Sequence, residues 1–417
     1  MYNGYLGKFE IDKISKFRTL LFVSLPLLRY YIPGISFLMF SDLAQVYLMF
    51  TGIVSRYQTK QNIPIYNAFL AYGAFVFAQT ILSALYMPVY DIATNITTVT
   101  RMLIQVFLIV FASDVYFDKD FGISAYIKIT CFHSLLITCQ LIAFLGAGLR
   151  TSFLIPFLNA EAGYNNGSIM GAREFRPTGL LYEPAQTAHY CIPSLVISLF
   201  SNLDEDGYRN KKSFLCAIIV SLGLISSRSG TAIMLMAFVW GTFCVVYFWK
   251  TRSTKSIMFI ILIVIVGIGL TMNPVVATSI ERGTNVNSAS GSTRVIRSFL
   301  NWVKFPVFYK IFGIGYSNYG AYVRYAGFQT IYDFVQDVGY SNAGGEILGG
   351  VGIIGALLYL RIYYRLIKKP NLAGKCITIL LFVSLFYSGI VKGVYFPMYI
   401  TLVFALNRYG SSRNEQE

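Results

Sequence analysis

Long apolar runs broken by short polar connections dominate the chain. A helix needs about 20 apolar residues to cross the hydrocarbon core of a bilayer, where backbone groups must find their partners internally. Runs that reach or approach that length lie at 19–34, 36–54, 64–86, 99–117, 123–147, 185–201, 213–227, 230–249, 256–276, 342–364, 376–391 and 393–407. The pattern predicts an all-α fold, a polytopic transmembrane helix bundle of about 12 helices forming one integral membrane domain over 1–417. The pairs 19–54, 213–249 and 376–407 leave almost no room for a connecting loop. No internal repeat or low-complexity segment is visible, and GSSRNEQE at the C-terminus reads as a short solvated tail. The first residues, MYNGYLGKFEIDKISKFR, lack a signal-peptide layout, so the first apolar run is expected to stay as a helix.

Charge orients the bundle. Lys and Arg cluster in short connections that alternate along the chain: Lys8 to Arg18, Arg56 and Lys60, Lys119 and Lys128, Arg209 to Lys212, Lys250 to Lys255, Arg361 to Lys375, and Arg408 and Arg413. The positive-inside rule then places both termini in the cytoplasm. Two long segments, 148–184 and 277–341, fall on the opposite, exported side. They carry Arg150, Arg173, Arg176, Arg282, Arg294, Arg297, Lys304, Lys310 and Arg324, a cationic vestibule suited to an anionic substrate. Within the second, residues 293–305 put Arg294, Arg297, Asn301 and Lys304 on one helical face. Val295, Ile296, Phe299, Trp302 and Val303 lie on the other, as in a helix lying among lipid headgroups, with Pro306 and Gly313-Ile314-Gly315 expected to end it.

Composition agrees. Hydrophobic residues make up 55% of the 417, charged residues only 13%, and mean hydropathy is +0.58, so the natural solvent is lipid. The net charge of +15 is scattered between apolar runs, which argues against nucleic acid as a partner. The six cysteines all fall in apolar stretches, so no disulfide framework is expected. His133 and His189 lie in apolar helical stretches without metal-ligand spacing, and no metal or cofactor is expected. A P-loop and a dinucleotide fingerprint are absent, which excludes those nucleotide chemistries.

Three stretches carry candidate chemistry. Arg176-Pro177-Thr178-Gly179-Leu180-Leu181-Tyr182-Glu183-Pro184 closes the first exported segment. Arg176 offers a fork of donors matched to phosphate oxygens, and Glu183 is a proton acceptor nearby; a salt-bridged helix start with Pro184 in its first turn is the plainer reading. Ser226-Ser227-Arg228-Ser229-Gly230 joins two apolar runs. An arginine at that depth is paired or lines a wet cavity, unless it snorkels to the interface. Third come Gly313-Ile314-Gly315-Tyr316 and Asp337-Val338-Gly339-Tyr340-Ser341-Asn342-Ala343-Gly344-Gly345-Glu346, then Gly349, Gly350, Gly352 and Gly355. These last glycines suit helix packing, and Glu346 inside a helix suits a functional or paired role.

In this order and on this topology the three stretches resemble the O-antigen polymerase (Wzy) and O-antigen ligase superfamily. The family pattern is an Arg-x-x-Gly segment ending in Glu/His-Pro before a helix, then Ser-Arg-Ser/Thr-Gly in a tight turn. A Gly-x-Gly segment follows in a large external loop, before an Asn-x-x-x-Glu start to a glycine-rich helix. The matching segments here are Arg176 to Pro184, Ser227 to Gly230, Gly313 to Tyr316 and Asn342 to Gly355. The ligase branch tends to carry a histidine just before that asparagine. Ser341 stands there, which favours polymerase over ligase.

The resemblance implies a metal-independent glycosyltransferase of lipopolysaccharide biosynthesis in the bacterial inner membrane, with 148–184 and 277–341 as periplasmic loops. It would polymerise undecaprenyl diphosphate-linked oligosaccharide repeat units, beside a chain-length regulator and a flippase, among membrane lipids. It implies Arg176 and Arg228 as the diphosphate grip and Glu183 as first candidate base, with Glu346 and Asp337 behind it. Arg173, Arg294, Arg297 and Asn342 would help bind substrate, and Tyr316, Tyr319, Tyr322 and Tyr340 would offer rings to sugars or to the interface. The alternatives are ligation of the glycan to lipid A core, and a lipid-linked oligosaccharide flippase.

Overall fold

The computed structural model describes residues 2–59, 64–111, 117–151, 175–201, 210–272, 274–284, 296–328, 342–368, 371–389 and 393–414, with 155, 158, 203–204 and 207–208. Its helices, in chain order, are α1 (Tyr2–Ser24), α2 (Phe40–Thr59), α3 (Pro64–Tyr86), α4 (Ile92–Phe111), α5 (Lys119–Ala147), α6 (Pro184–Phe200), α7 (Lys211–Ser226), α8 (Gly230–Thr251), α9 (Thr254–Thr271) and α10 (Pro274–Thr284). They continue with α11 (Ser298–Lys304), α12 (Val307–Phe312), α13 (Tyr319–Tyr325), α14 (Ala343–Ile367), α15 (Leu372–Ser384) and α16 (Tyr395–Asn414). The only strands among the described residues form two short hairpins, β1–β2 (Tyr31–Ile32, Ile35–Met39) and β3–β4 (Leu203–Asp204, Gly207–Tyr208). Among the described residues, five helices are long and apolar enough to cross a membrane: α3, α4, α5, α8 and α14. The protein is an all-α membrane protein.

Most expected runs coincide with helices, and the departures have local causes. The run 19–34 is not one helix: α1 stops at Ser24, Pro26 opens a single 3₁₀ turn (Leu25–Leu28), and Pro33-Gly34 turns the apolar β1–β2 hairpin. The run 256–276 is split between α9 and α10, which starts at Pro274. Helix α4 begins seven residues before its apolar run because Asp91 caps it, accepting from the Thr94 hydroxyl at 2.7 Å and the Thr94 amide at 3.0 Å. Those bonds hold the Asp91 carboxyl below its usual range. All six cysteines are free thiols.

The chain forms two compact units. One comprises residues 23–41 and 120–284, in which α6 packs on α7 and α8, and α8 on α9 and α10. Helix α6 is its centre: from Thr187 to Phe200 every residue is buried. Polar groups here are tied within the core, the Thr130 hydroxyl donating to Ser194 at 2.6 Å and the Tyr126 hydroxyl to the Tyr190 carbonyl.

The other unit comprises 1–22, 42–119 and 285–417, built on α3, α4 and α14. Arg101 on α4 meets Asp42 on α2 at 3.1 Å, the pairing a charge among apolar helices requires. Helix α14 is broken at Gly352, whose backbone (φ 66, ψ −175) leaves the helical region. The Gly313-Ile314-Gly315 segment lies against the break: the Ile314 amide donates to Gly349 carbonyl at 3.0 Å and the Gly315 amide to Gly350 carbonyl at 2.9 Å. The Tyr86 hydroxyl donates to Gly313 carbonyl at 2.6 Å. A Cβ on Gly313 would stand 2.2 Å from the Gly350 oxygen, so two backbones meet where no side chain fits. Glycines expected to serve helix packing therefore include one, Gly352, that interrupts the helix.

Residues 296–312 also modify the expectation of a single amphipathic helix over 293–305. Helix α11 ends at Lys304, with Phe305 and Pro306 extended, as expected; a second short helix, α12, then follows and is closed by Gly313. Ile296, Leu300, Val303 and Val307 point outward, whereas Ser298 and Asn301 are buried, Asn301 donating to the Tyr319 hydroxyl at 3.1 Å. In lipid the apolar face is the outer one, and the polar face supplies the contacts inward.

Replacing Gly313 by Ala is expected to destabilise the protein by about 2 kcal/mol or more, because it combines positive φ with a backbone collision. Gly241→Ala on α8, where nothing lies within 4 Å of the new methyl, should be neutral or slightly stabilising. Thermal unfolding of the two variants in detergent checks the contrast, and equal melting temperatures would contradict it.

Candidate functional site

In the unit around α6, an irregular segment, 175–183, approaches the helix bundle before α6 begins. Two of its backbone amides are satisfied by side chains from α5. His133 and Gln140 stand two helical turns apart on one face of that helix, 0% and 1% exposed. Gln140 Oε1 accepts from the Gly179 amide at 2.8 Å, and His133 Nδ1 accepts from the Leu180 amide at 3.2 Å. The Gln140 amide nitrogen donates in turn to the Thr151 carbonyl at 2.9 Å. A His133 that accepts at Nδ1 is neutral and carries its proton on Nε2. Gly179 sits at φ 63, and a Cβ there would stand 2.5 Å from His133 Cε1. This is the physical reason for glycine in Arg-x-x-Gly: the turn needs the left-handed conformation and direct contact with an imidazole edge.

The rest of the segment is equally fixed. Phe175, Pro177, Thr178, Leu181 and Tyr182 are buried, the Leu181 amide bonds to Thr178 carbonyl, and Pro184 takes the first turn of α6 as expected. Glu183 is the N-cap in an extended conformation without a side-chain capping bond. Among the described residues its carboxylate makes no ion pair.

Arg228 occupies the turn between α7 and α8 with φ 51, a strained conformation for a side chain other than glycine. Ser227 ties back to the Leu224 carbonyl at 2.7 Å, and Ser229 caps α8 by accepting from the Ala232 amide. The Arg228 guanidinium donates to the carbonyl of Phe175, the residue before Arg176, at 3.3 Å, and lies 5.9 Å from the centre of the Phe144 ring. Arg150 lies over that same ring at 5.8 Å, and Phe144 packs on Phe175 with centroids 5.1 Å apart. Arg29, from the turn before β1, lies 5.3 Å from the Tyr182 ring centre and donates to Gln186 Oε1 at 3.3 Å. Arg29, Arg150, Arg176 and Arg228 thus gather around residues 175–186.

The sequence singled out Arg176, Glu183 and Arg228 but assigned no role to Arg29, and treated Arg150 only as part of a basic loop. The signal for Arg29 was present, an arginine inside an apolar run. His133 and Gln140 gave no signal beyond a polar residue in a helix, because their partners are backbone amides of another segment.

The remaining candidates belong to the other unit. Asn342 is fully buried and caps α14: its oxygen accepts from the Gly345 amide at 2.7 Å and the Ser298 hydroxyl at 3.0 Å, and its nitrogen donates to Phe386 carbonyl at 2.9 Å. The side chain expected to bind substrate is thereby committed to structure. Tyr316, Tyr319 and Tyr322 are 1%, 1% and 6% exposed, so these rings lie inside the core rather than on an open platform for sugars. Glu346 is 9% exposed in the first turn of α14, and Arg297 stands half-buried at the head of α11. Arg173, Arg294, Asp337 and Tyr340 lie outside the described residues. No group of three metal-binding side chains stands together among the described residues. No family model matches the chain, and no curated protein matches it.

His133→Leu leaves the Leu180 amide buried without an acceptor and should cost about 1–3 kcal/mol, whereas His133→Asn keeps an acceptor and should lose less. Melting temperatures in detergent measure the difference. Identical losses for Leu and Asn would remove the hydrogen bond from the explanation.

Proposed function

We propose that the protein is a glycosyltransferase of the inner membrane that polymerises oligosaccharide repeat units carried on undecaprenyl diphosphate, in the manner of O-antigen polymerases. In this reading about 12 helices cross the membrane, both termini are cytoplasmic, and 148–184 and 277–341 are periplasmic. The supporting observation is the bond from the Arg228 side chain to the Phe175 carbonyl, which brings the Ser-Arg-Ser-Gly turn against the backbone at the start of the Arg176 to Pro184 segment.

The chemistry asks for three things. A sugar hydroxyl of the acceptor attacks the anomeric carbon of the donor glycan, a new glycosidic bond forms, and the bond from that carbon to the diphosphate oxygen breaks. Negative charge gathers on the departing undecaprenyl diphosphate, and the hydroxyl proton must be removed. Arg176 and Arg228 hold the diphosphate and stabilise its growing charge, as fixed guanidinium groups do best in a low-dielectric site. Arg29 and Arg150 extend the same grip. Glu183, whose carboxylate has no partner among the described residues, takes the proton.

The lipopolysaccharide ladder of a deletion strain complemented with variants tests this reading. Arg176→Ala and Arg228→Ala should each leave core capped with a single repeat unit, with the protein present in the membrane at the normal level. Arg29→Ala should shorten the chains, its lost charge-assisted bond costing about 1.5–3 kcal/mol and roughly tenfold or more in rate. Normal ladders from both Arg176→Ala and Arg228→Ala would remove the site. Core lacking any repeat unit in the deletion strain would identify a ligase instead, and repeat units retained on the cytoplasmic face would identify a flippase.

A further inference from the structure

The opposite end of α7 holds a second feature, which the proposed reaction does not use. Where α7 begins, α8 ends and α9 begins, a cavity of about 250 Å³ is lined by Phe214, Phe243, Tyr247 and Phe259, with Lys211 at its edge. The rings of the wall pack on one another. Phe259 meets Tyr247 edge-on at 5.6 Å, Phe243 stacks on Tyr247 at 5.7 Å, and Phe214 stands 6.1 Å from Phe259. Rings held against one another cannot collapse into the space. The volume falls below the 300–1,000 Å³ or so of a pocket that encloses a whole small molecule, and it suits part of an apolar chain instead.

Charge says what the chain is attached to. Lys211 and Lys212 are exposed in the first turn of α7, and Lys250 and Arg252 stand at the end of α8. Neither lysine serves its own helix, since positive charge in a first turn opposes the helix dipole, and that turn is already capped by Asn210, which accepts from the amides of Lys212 and Ser213. Lys250 donates to the Leu203 carbonyl at 3.1 Å, which holds one cation at the β3–β4 hairpin. We propose that this cavity is a binding site for an anionic phospholipid, one acyl chain lying among the four rings and the phosphate resting against Lys211. The neighbouring Lys212 and Arg252 add attraction for a net negative headgroup, which a zwitterionic lipid lacks.

The site is independent of the glycosyltransfer reading and of which way the bundle faces. Native mass spectrometry of the full-length protein in detergent tests it, using phosphatidylglycerol and phosphatidylcholine with identical acyl chains, and inorganic phosphate as a third probe. Phosphatidylglycerol should be retained over phosphatidylcholine, and phosphate alone should not bind. Lys211→Glu, a change at an exposed position, should lower phosphatidylglycerol occupancy about fivefold or more, near 1 kcal/mol per charge at a lipid surface. Phe259→Trp, which narrows the cavity, should lower it while leaving Lys211 in place. Melting in lipid-free detergent identifies a variant that has not folded, and the exposed Lys211 change keeps the test decisive if the tryptophan is not accepted. Equal retention of the two lipids, phosphate binding as well as the lipid does, or occupancy untouched by Lys211→Glu would overturn the proposal.

Discussion

A backbone segment that leaves the helical conformation inside a packed interior must find its hydrogen-bond partners there, because a buried amide left without one is costly. The two irregular segments that approach the helices obey that constraint by different means. Around Gly179 the partners are side chains, His133 and Gln140, aimed at consecutive amides. Around Gly313 the partners are backbone carbonyls exposed by the interruption of α14 at Gly352. Both solutions require glycine, in one case to admit an imidazole and in the other to admit a second backbone. The conformations are held by close packing on all sides, which is the condition under which strained backbone persists.

Such anchoring has a chemical consequence. A guanidinium presented by a freely moving loop binds an anion only after the loop is ordered, whereas Arg176 and Arg228 project from backbone already fixed by α5, α6 and the α7–α8 turn. Preorganised charge of this kind requires little rearrangement when negative charge develops. These cations also meet aromatic faces, Arg228 and Arg150 at Phe144 and Arg29 at Tyr182.

Much of this was legible in the chain itself, for reasons that are local. Periodicity and length mark α3, α5 and α8 because each is a single apolar run with clear ends. The α7–α8 turn was visible as Ser-Arg-Ser-Gly between two such runs. What escaped depends on contacts distant in sequence: α4 starting early at a polar cap, the hairpin inside the run 19–34, and the break at Gly352, which reads as ordinary glycine packing until the Gly313 segment is set against it. The site divides in the same way. Arg176, Glu183 and Arg228 stand out by type and setting, while Gln140 and His133 are recognisable only once the amides they accept from are known. Asn342 and Tyr316 show the converse, residues conspicuous in the sequence whose side chains are enclosed in the core.

The account depends on the arginine-bearing end of α5, α7 and α8 facing outward, toward a lipid-borne diphosphate on the exported side. Labelling with a membrane-impermeant maleimide, in spheroplasts carrying one cysteine in a cysteine-free background, measures that directly. A cysteine at Leu149, which is 57% exposed beyond the end of α5, should react from outside. One at Lys212, at the start of α7, should react only after the membrane is opened. Labelling in the reverse order would put the arginines in the cytosol and contradict the account.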